Sequence, residues 1–148
     1  MVALYMTVAV GMGCFLALQA GVNGRLRIRA GDPVYAAAMS SAIAAFSLLL
    51  YSLAVVRKPW PDSAALTSAP WWIWTGGLMG AAYVATSLTL ITRLGGAVTF
   101  ALIVVGQMLA TLVMDHFGLL GLPRHEVNPL RVLGAVCLVA GVVLIRRF

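Results

Sequence analysis

GCFLALQAGVNGRLRIRAGDP, Gly13 to Pro33, is the stretch that decides how this chain is read. It begins as apolar sequence and then sets Gln19 and Asn23 one helical turn apart, which places both amides on one face. Gly13, Gly21 and Gly24 leave room for a neighbouring backbone, and the stretch stops on Arg25, Arg27 and Arg29 before turning at Gly31-Asp32-Pro33. This is the pattern of a membrane helix with a polar face turned inward and arginines held at the lipid surface.

Working outward, composition agrees. The chain is 62% hydrophobic and 9% charged, with a mean hydropathy of +1.01. A soluble domain carries roughly 25% charged residues, so this one cannot clothe a water-facing surface. The 148 residues leave room for one domain. The net charge of +6 does not point to nucleic acid. The basic residues Arg25, Arg27, Arg29, Arg57, Lys58, Arg93, Arg124, Arg131, Arg146 and Arg147 fall between apolar runs, where lipid headgroups meet them.

Uncharged runs predict an all-α, polytopic fold of five transmembrane helices over about residues 2–24, 33–56, 71–92, 97–117 and 129–145. The first run has no basic residues ahead of it and no clear small-residue cleavage site, so it reads as retained rather than as a signal peptide. Asp32-Pro33 and Asn128-Pro129 are cap-then-N1 helix starts. Lys58 to Ala69 is the main polar connection, crowded by Trp60, Trp71, Trp72 and Trp74 as interfacial aromatics are. Gly76, Gly77 and Gly80 permit tight helix contact. The very short break at Arg93 to Gly96 predicts that the fourth span returns beside the third, and Gly118 to Glu126 reads as a loop.

Five spans put the termini on opposite sides. One side holds the N-terminus, Arg57, Lys58, Arg124 and Arg131; the other holds Arg25, Arg27, Arg29, Arg93, Arg146 and Arg147. The bias places the C-terminus in the cytoplasm and the N-terminus outside, by a margin small enough to leave dual insertion open. No repeat is visible, so an inverted repeat arises only between two chains.

Polar residues inside lipid need an internal reason. Gln19 and Asn23 form one stripe, and Gln107, Thr111 and Asp115 form another at i, i+4 and i+8. Tyr83 with Thr86 or Ser87 makes a softer line in the third span. Such stripes either line a partly wet cavity or join helices through hydrogen bonds worth about 0.6 kcal/mol each. Both readings stay open for the amides, while packing is preferred for Tyr83, Thr86 and Ser87. Asp115 and Arg131 flank one loop, each opposing its helix dipole at a cost of about 0.3–1 kcal/mol. An ion pair between them is preferred to a substrate or proton site, although Asp115 is the sole carboxylate within a membrane run. Cys14 and Cys137 read as small apolar filler, and His116 and His125 as solvated residues without metal spacing. Gly11-x-Gly13 follows no strand and is no nucleotide loop. No nucleophile–base arrangement suggests an enzyme, and nothing calls for a cofactor.

The order Gln19, Asn23, Pro33, then Trp71-Trp72, Gly76-Gly77-x-x-Gly80, Leu94-Gly95-Gly96-Ala97, Gly106-Gln107, Asp115-His116-Phe117-Gly118, Arg131-x-x-Gly134 and Gly141 resembles the YdcZ-like proteins of the drug/metabolite transporter superfamily. The chain departs from their pattern in the second span, with Ser41-Ala42-Ile43-Ala44 where Ser-Phe-x-x-Gly is expected. The resemblance implies an inner-membrane half-transporter, equivalent to half of a ten-helix unit, that works as a homodimer or beside a paired five-helix homologue. Small multidrug exporters are similar in size but use a membrane-embedded glutamate, where Gln19 and Asn23 are uncharged. The expectation is a secondary transporter of small organic solutes. Gln19, Asn23, Tyr83, Gln107 and Thr111 would bind solute, and Asp115 and Arg131 would gate or couple. The competing expectation is a non-transporting membrane subunit or scaffold, with a channel as a third reading that no filter-like sequence favours.

Overall fold

The computed structural model of the chain describes residues 1–56 and 58–148; Arg57, expected at the end of the second span, lies outside the described residues. The regular elements are α1 (Val2–Ala30), α2 (Pro33–Tyr51) continued by a π turn (Ser52–Val56), a short α3 (Ser63–Thr67), a 3₁₀ turn (Trp71–Trp74) leading into α4 (Thr75–Leu94), α5 (Gly96–Phe117), a 3₁₀ turn (Leu119–Gly121) and α6 (Pro129–Arg147). No strand occurs among the described residues. Five segments, Val2–Ala30, Pro33–Val56, Trp71–Leu94, Gly96–Phe117 and Pro129–Arg147, are long and apolar enough to cross a membrane. Their large side chains face outward, Val10 at 70% and Leu78 at 73% exposure among them. This inverts the soluble pattern, as expected where acyl chains rather than water meet the surface.

The first helix corrects the expected boundary. It does not end at Gly24 but continues through Arg25, Arg27 and Arg29 to Ala30. Arginine is a good helix former, and charge ends the hydrocarbon crossing without ending the helix. At 1.5 Å per residue, 29 residues span about 43 Å, against about 30 Å of hydrocarbon. The surplus carries the arginine-bearing end into the headgroups. Gly31 then closes the helix in the left-handed region (φ 81°), its N–H donating to the Arg27 carbonyl. Asp32 caps the next helix as expected, accepting from the Val34 N–H at 2.6 Å, with Pro33 at N1.

The polar connection is not wholly irregular. Asp62 accepts from the Ala64 N–H at 3.1 Å and starts α3. The fourth and sixth helices run slightly past their expected ends, to Leu94 and Arg147, and the fifth begins at Gly96. Gly95 alone joins α4 to α5, at φ 81° and ψ 160°, a region essentially reserved for glycine. Asn128 caps α6 as read from the sequence, accepting from the Arg131 N–H at 2.9 Å.

The backbone sorts into two compact units, Met1–Thr89 and Leu90–Phe148. In the first, α1 packs along α2. Asn23, Ala36 and Ala37 are the residues these two helices bury, and the alanines permit a close approach of the helices. In the second, α5 packs against α6, and Thr99, Ala135 and Val142 are buried. The glycine faces of α1 and α4 are open within the chain. No atom outside their own helix backbone lies within 4 Å of where a Cβ would stand on Gly11, Gly13, Gly21, Gly24, Gly76, Gly77 or Gly80. Cys14 and Cys137 are unpaired and face outward rather than filling a core.

Candidate functional site

In the first unit, Gln19 and Asn23 line one cavity of about 690 Å³, walled on the α1 side also by Met12, Phe15, Leu16 and Leu26. Helix α2 supplies Ser40 and Ile43 to the same wall. The stripe read from sequence is therefore a real surface feature, and Ser40 joins it. Ser40 carries no sequence signal of its own beyond its place among the alanines of α2, on the face that turns toward α1. Asn23 is 6% exposed, and neither amide makes a side-chain hydrogen bond among the described residues. Gln19 is exposed, and an amide that meets lipid without a partner is costly unless something else satisfies it. The wall is otherwise apolar, which suits a ligand of mixed character.

Tyr83, on α4 in this unit, is not on that wall. Its hydroxyl oxygen is buried without a hydrogen-bond partner among the described residues. Of its two companions, Ser87 is buried and donates to the Val84 carbonyl at 2.9 Å, and Thr86 is exposed. Packing, the preferred reading, fits Ser87.

In the second unit, Thr111, Asp115 and Arg131 line a cavity of about 490 Å³ with Met108, Leu112 and Leu138. Thr111 turns its proton inward to its own helix, donating to the Gln107 and Met108 carbonyls, so only its lone pairs face the space. Gln107 is exposed and does not line this cavity. The i, i+4, i+8 stripe thus divides: two of its members reach the cavity, and the amide does not.

Asp115 Oδ2 and Arg131 Nη1 stand 3.7 Å apart, with about a third of each side chain exposed (29% and 35%). The expected ion pair is present. Arg131 Nη1 also donates to the His125 carbonyl at 3.2 Å. The loop between α5 and α6 holds this arrangement in place. Gly118 turns at φ 63°, the His125 N–H donates to the Asp115 carbonyl at 2.9 Å, and Arg124 Nε donates to the His116 carbonyl at 3.2 Å. His116 is not merely solvated: its Nδ1 accepts from the Val127 N–H at 3.2 Å and ties the end of the loop to the end of α5. That tie spans eleven residues, which is why side-chain spacing alone did not disclose it. Thr99, also absent from the sequence reading, is 1% exposed with an unpartnered hydroxyl; an isolated threonine in an apolar run carries no signal that singles it out.

The geometry offers two largely apolar hollows, one with uncharged amides on its wall and one lined by an ion pair. The pattern of the family described as "Putative inner membrane exporter, YdcZ" matches residues 4–144. The chain is 34% identical over 83 residues to the "Inner membrane protein YdcZ" of Escherichia coli (strain K12), a match covering 55% of this chain and 54% of that protein. The chain thus spans about half the length of the curated relative it matches. No solved structure matches.

Proposed function

The chain belongs to the YdcZ inner-membrane exporter family, and from that premise we propose that it is a multi-pass inner-membrane secondary transporter of small organic solutes. Two chains act together by alternating access, and the C-terminus lies in the cytoplasm. The observation that carries this reading is the α1–α2 cavity with Gln19 and Asn23 on its wall. Two amides without partners on an apolar surface give a solute hydrogen bonds without attracting or rejecting charge. The solute that fits is small, neutral or weakly charged, and partly apolar. The Asp115–Arg131 pair lines the second cavity and acts as a gate that opens when solute or a proton competes for the carboxylate. The open glycine faces of α1 and α4 support a second chain, since small residues unused within one chain are free to pack against another.

The same open faces serve the alternative, a non-transporting subunit whose amides are satisfied by a partner helix. Substituting Gln19 and Asn23 together by alanine separates the two. Transport predicts lost efflux of small organic solutes from proteoliposomes with the dimer intact by cross-linking. The subunit reading predicts a lost dimer, and unchanged efflux counts against the transporter.

A further inference from the structure

The basic end of α1 forms a second depression, which adjoins the cavity of Gln19 and Asn23 and shares Val22 and Leu26 with it. Arg25 and Arg29 stand one turn apart and, with Val22, Leu26 and Ile28, line a hollow of about 680 Å³. Val22, Arg25, Leu26 and Arg29, at i, i+3, i+4 and i+7, share one face of the helix, and Ile28 flanks the arginines at its edge. Arg27 follows Arg25 by two residues and precedes Arg29 by two, about 200° around the axis from each, and is not part of the lining. Among the described residues, neither Arg25 nor Arg29 has an acidic partner: the ion pairs present join Arg124 to Glu126 and Arg131 to Asp115. The nearest carboxylate in sequence, Asp32, is engaged in capping α2. Two guanidiniums therefore share a concave surface with an apolar floor and no ion-pair partner among the described residues.

The length of α1 fixes the depth of this hollow. The helix outruns the hydrocarbon by about 13 Å, and the charged turns are the part that emerges. A phosphate beside two guanidiniums, with an acyl chain lying along Val22 and Leu26, matches the hollow in charge, shape and polarity gradient. Planar guanidinium forks suit phosphate oxygens, and basic pockets at the cytoplasmic surface take anionic headgroups.

We propose that Arg25 and Arg29 form a binding site for the headgroup of an anionic phospholipid, held by paired guanidiniums above the apolar floor of Val22, Leu26 and Ile28. The site shares Val22 and Leu26 with the solute cavity but takes its charge from the two arginines alone. It fixes the depth of α1, and with it the depth at which Gln19 and Asn23 meet the bilayer.

The test compares the purified full chain with its variants in phosphatidylcholine nanodiscs with and without phosphatidylglycerol, counting retained anionic lipids by native mass spectrometry. Removing one contributing arginine, in Arg25→Gln or Arg29→Gln, lowers phosphatidylglycerol retention about fivefold, taking roughly 1 kcal/mol per basic residue near the surface. Arg27→Gln removes the same charge and leaves retention within about twofold of the unsubstituted chain. Arg29→Lys, which keeps the charge and the helix but not the fork, falls between. Equal losses from all three glutamine variants would mean diffuse surface attraction and would overturn the site. So would binding of inorganic phosphate as tight as that of phosphatidylglycerol, because it would leave the apolar floor without a role. Helix content measured by circular dichroism confirms that the compared variants are folded.

Discussion

Neutralising Asp115 separates what the ion pair does for stability from what it does for transport. The pair is 3.7 Å long with about a third of each side chain exposed, so solvent screens it and its worth is about 0.2–1 kcal/mol. Asp115 lies in the last turn of α5, where a negative charge opposes the helix dipole at a cost of about 0.3–1 kcal/mol. Asp115→Asn loses the first quantity and recovers the second, so folding stability shifts by no more than about 0.8 kcal/mol in either direction. Arg131→Gln is costlier, because it also removes the bond to the His125 carbonyl, worth about 0.5–1.5 kcal/mol. A double-mutant cycle in bicelles, read by circular dichroism against added denaturing detergent, should return a coupling of about 0.2–1 kcal/mol. If the pair gates the pathway, Asp115→Asn should nevertheless slow solute efflux from proteoliposomes at least tenfold, roughly 1.4 kcal/mol on the barrier. Full efflux in the Asp115→Asn protein would refute the gating role. A stability loss above about 3 kcal/mol would refute the premise that the pair is solvent-screened.

Two further outcomes follow from the backbone and the loop. Gly95→Ala should destabilise the chain by about 1–3 kcal/mol, because φ 81° with ψ 160° admits little but glycine. Gly96→Ala, in ordinary helix with open space around it, should stabilise slightly by helix propensity, both read by the same detergent titration. His116→Phe should remove the acceptor for the Val127 N–H and cost about 0.5–1.5 kcal/mol, with faster hydrogen exchange confined to residues 118–128. Exchange unchanged there would mean that the histidine does not hold the loop.

The five spans were legible because lipid imposes one long apolar run per crossing, and the chain breaks those runs with charge and proline. The caps at Asp32-Pro33 and Asn128-Pro129 were legible for a similarly local reason: a carboxylate or amide two or three residues ahead of an orphan N–H is a sequence-scale event. The same local logic was available at Asp62-Ser63, where α3 begins, but the surrounding prolines masked it. The end of α1 was misplaced because the hydrophobic run measures the membrane, whereas the helix answers to backbone propensity and stops only at Gly31. The candidate site was half legible. Periodicity fixes which residues share a face, and so grouped Gln19 with Asn23 and Thr111 with Asp115. It cannot fix what packs against that face, which is why Gln107 falls off the cavity wall and Ser40 joins one. Asp115 and Arg131 could be paired in advance because a single loop ties their helix ends together.

The central claim is that Gln19 faces a wet interior rather than acyl chains, and cysteine labelling tests it most directly. In a Cys14→Ser, Cys137→Ser background, single cysteines replace Gln19, on the cavity wall, or Val10, nine residues earlier, half a turn away and off that wall. Maleimides react with the thiolate, which forms only where water reaches. A water-soluble maleimide should label Gln19→Cys at least tenfold faster than Val10→Cys in intact membranes, and a transported solute should protect it. Equal and negligible labelling at both positions would contradict the claim and leave the amide facing lipid.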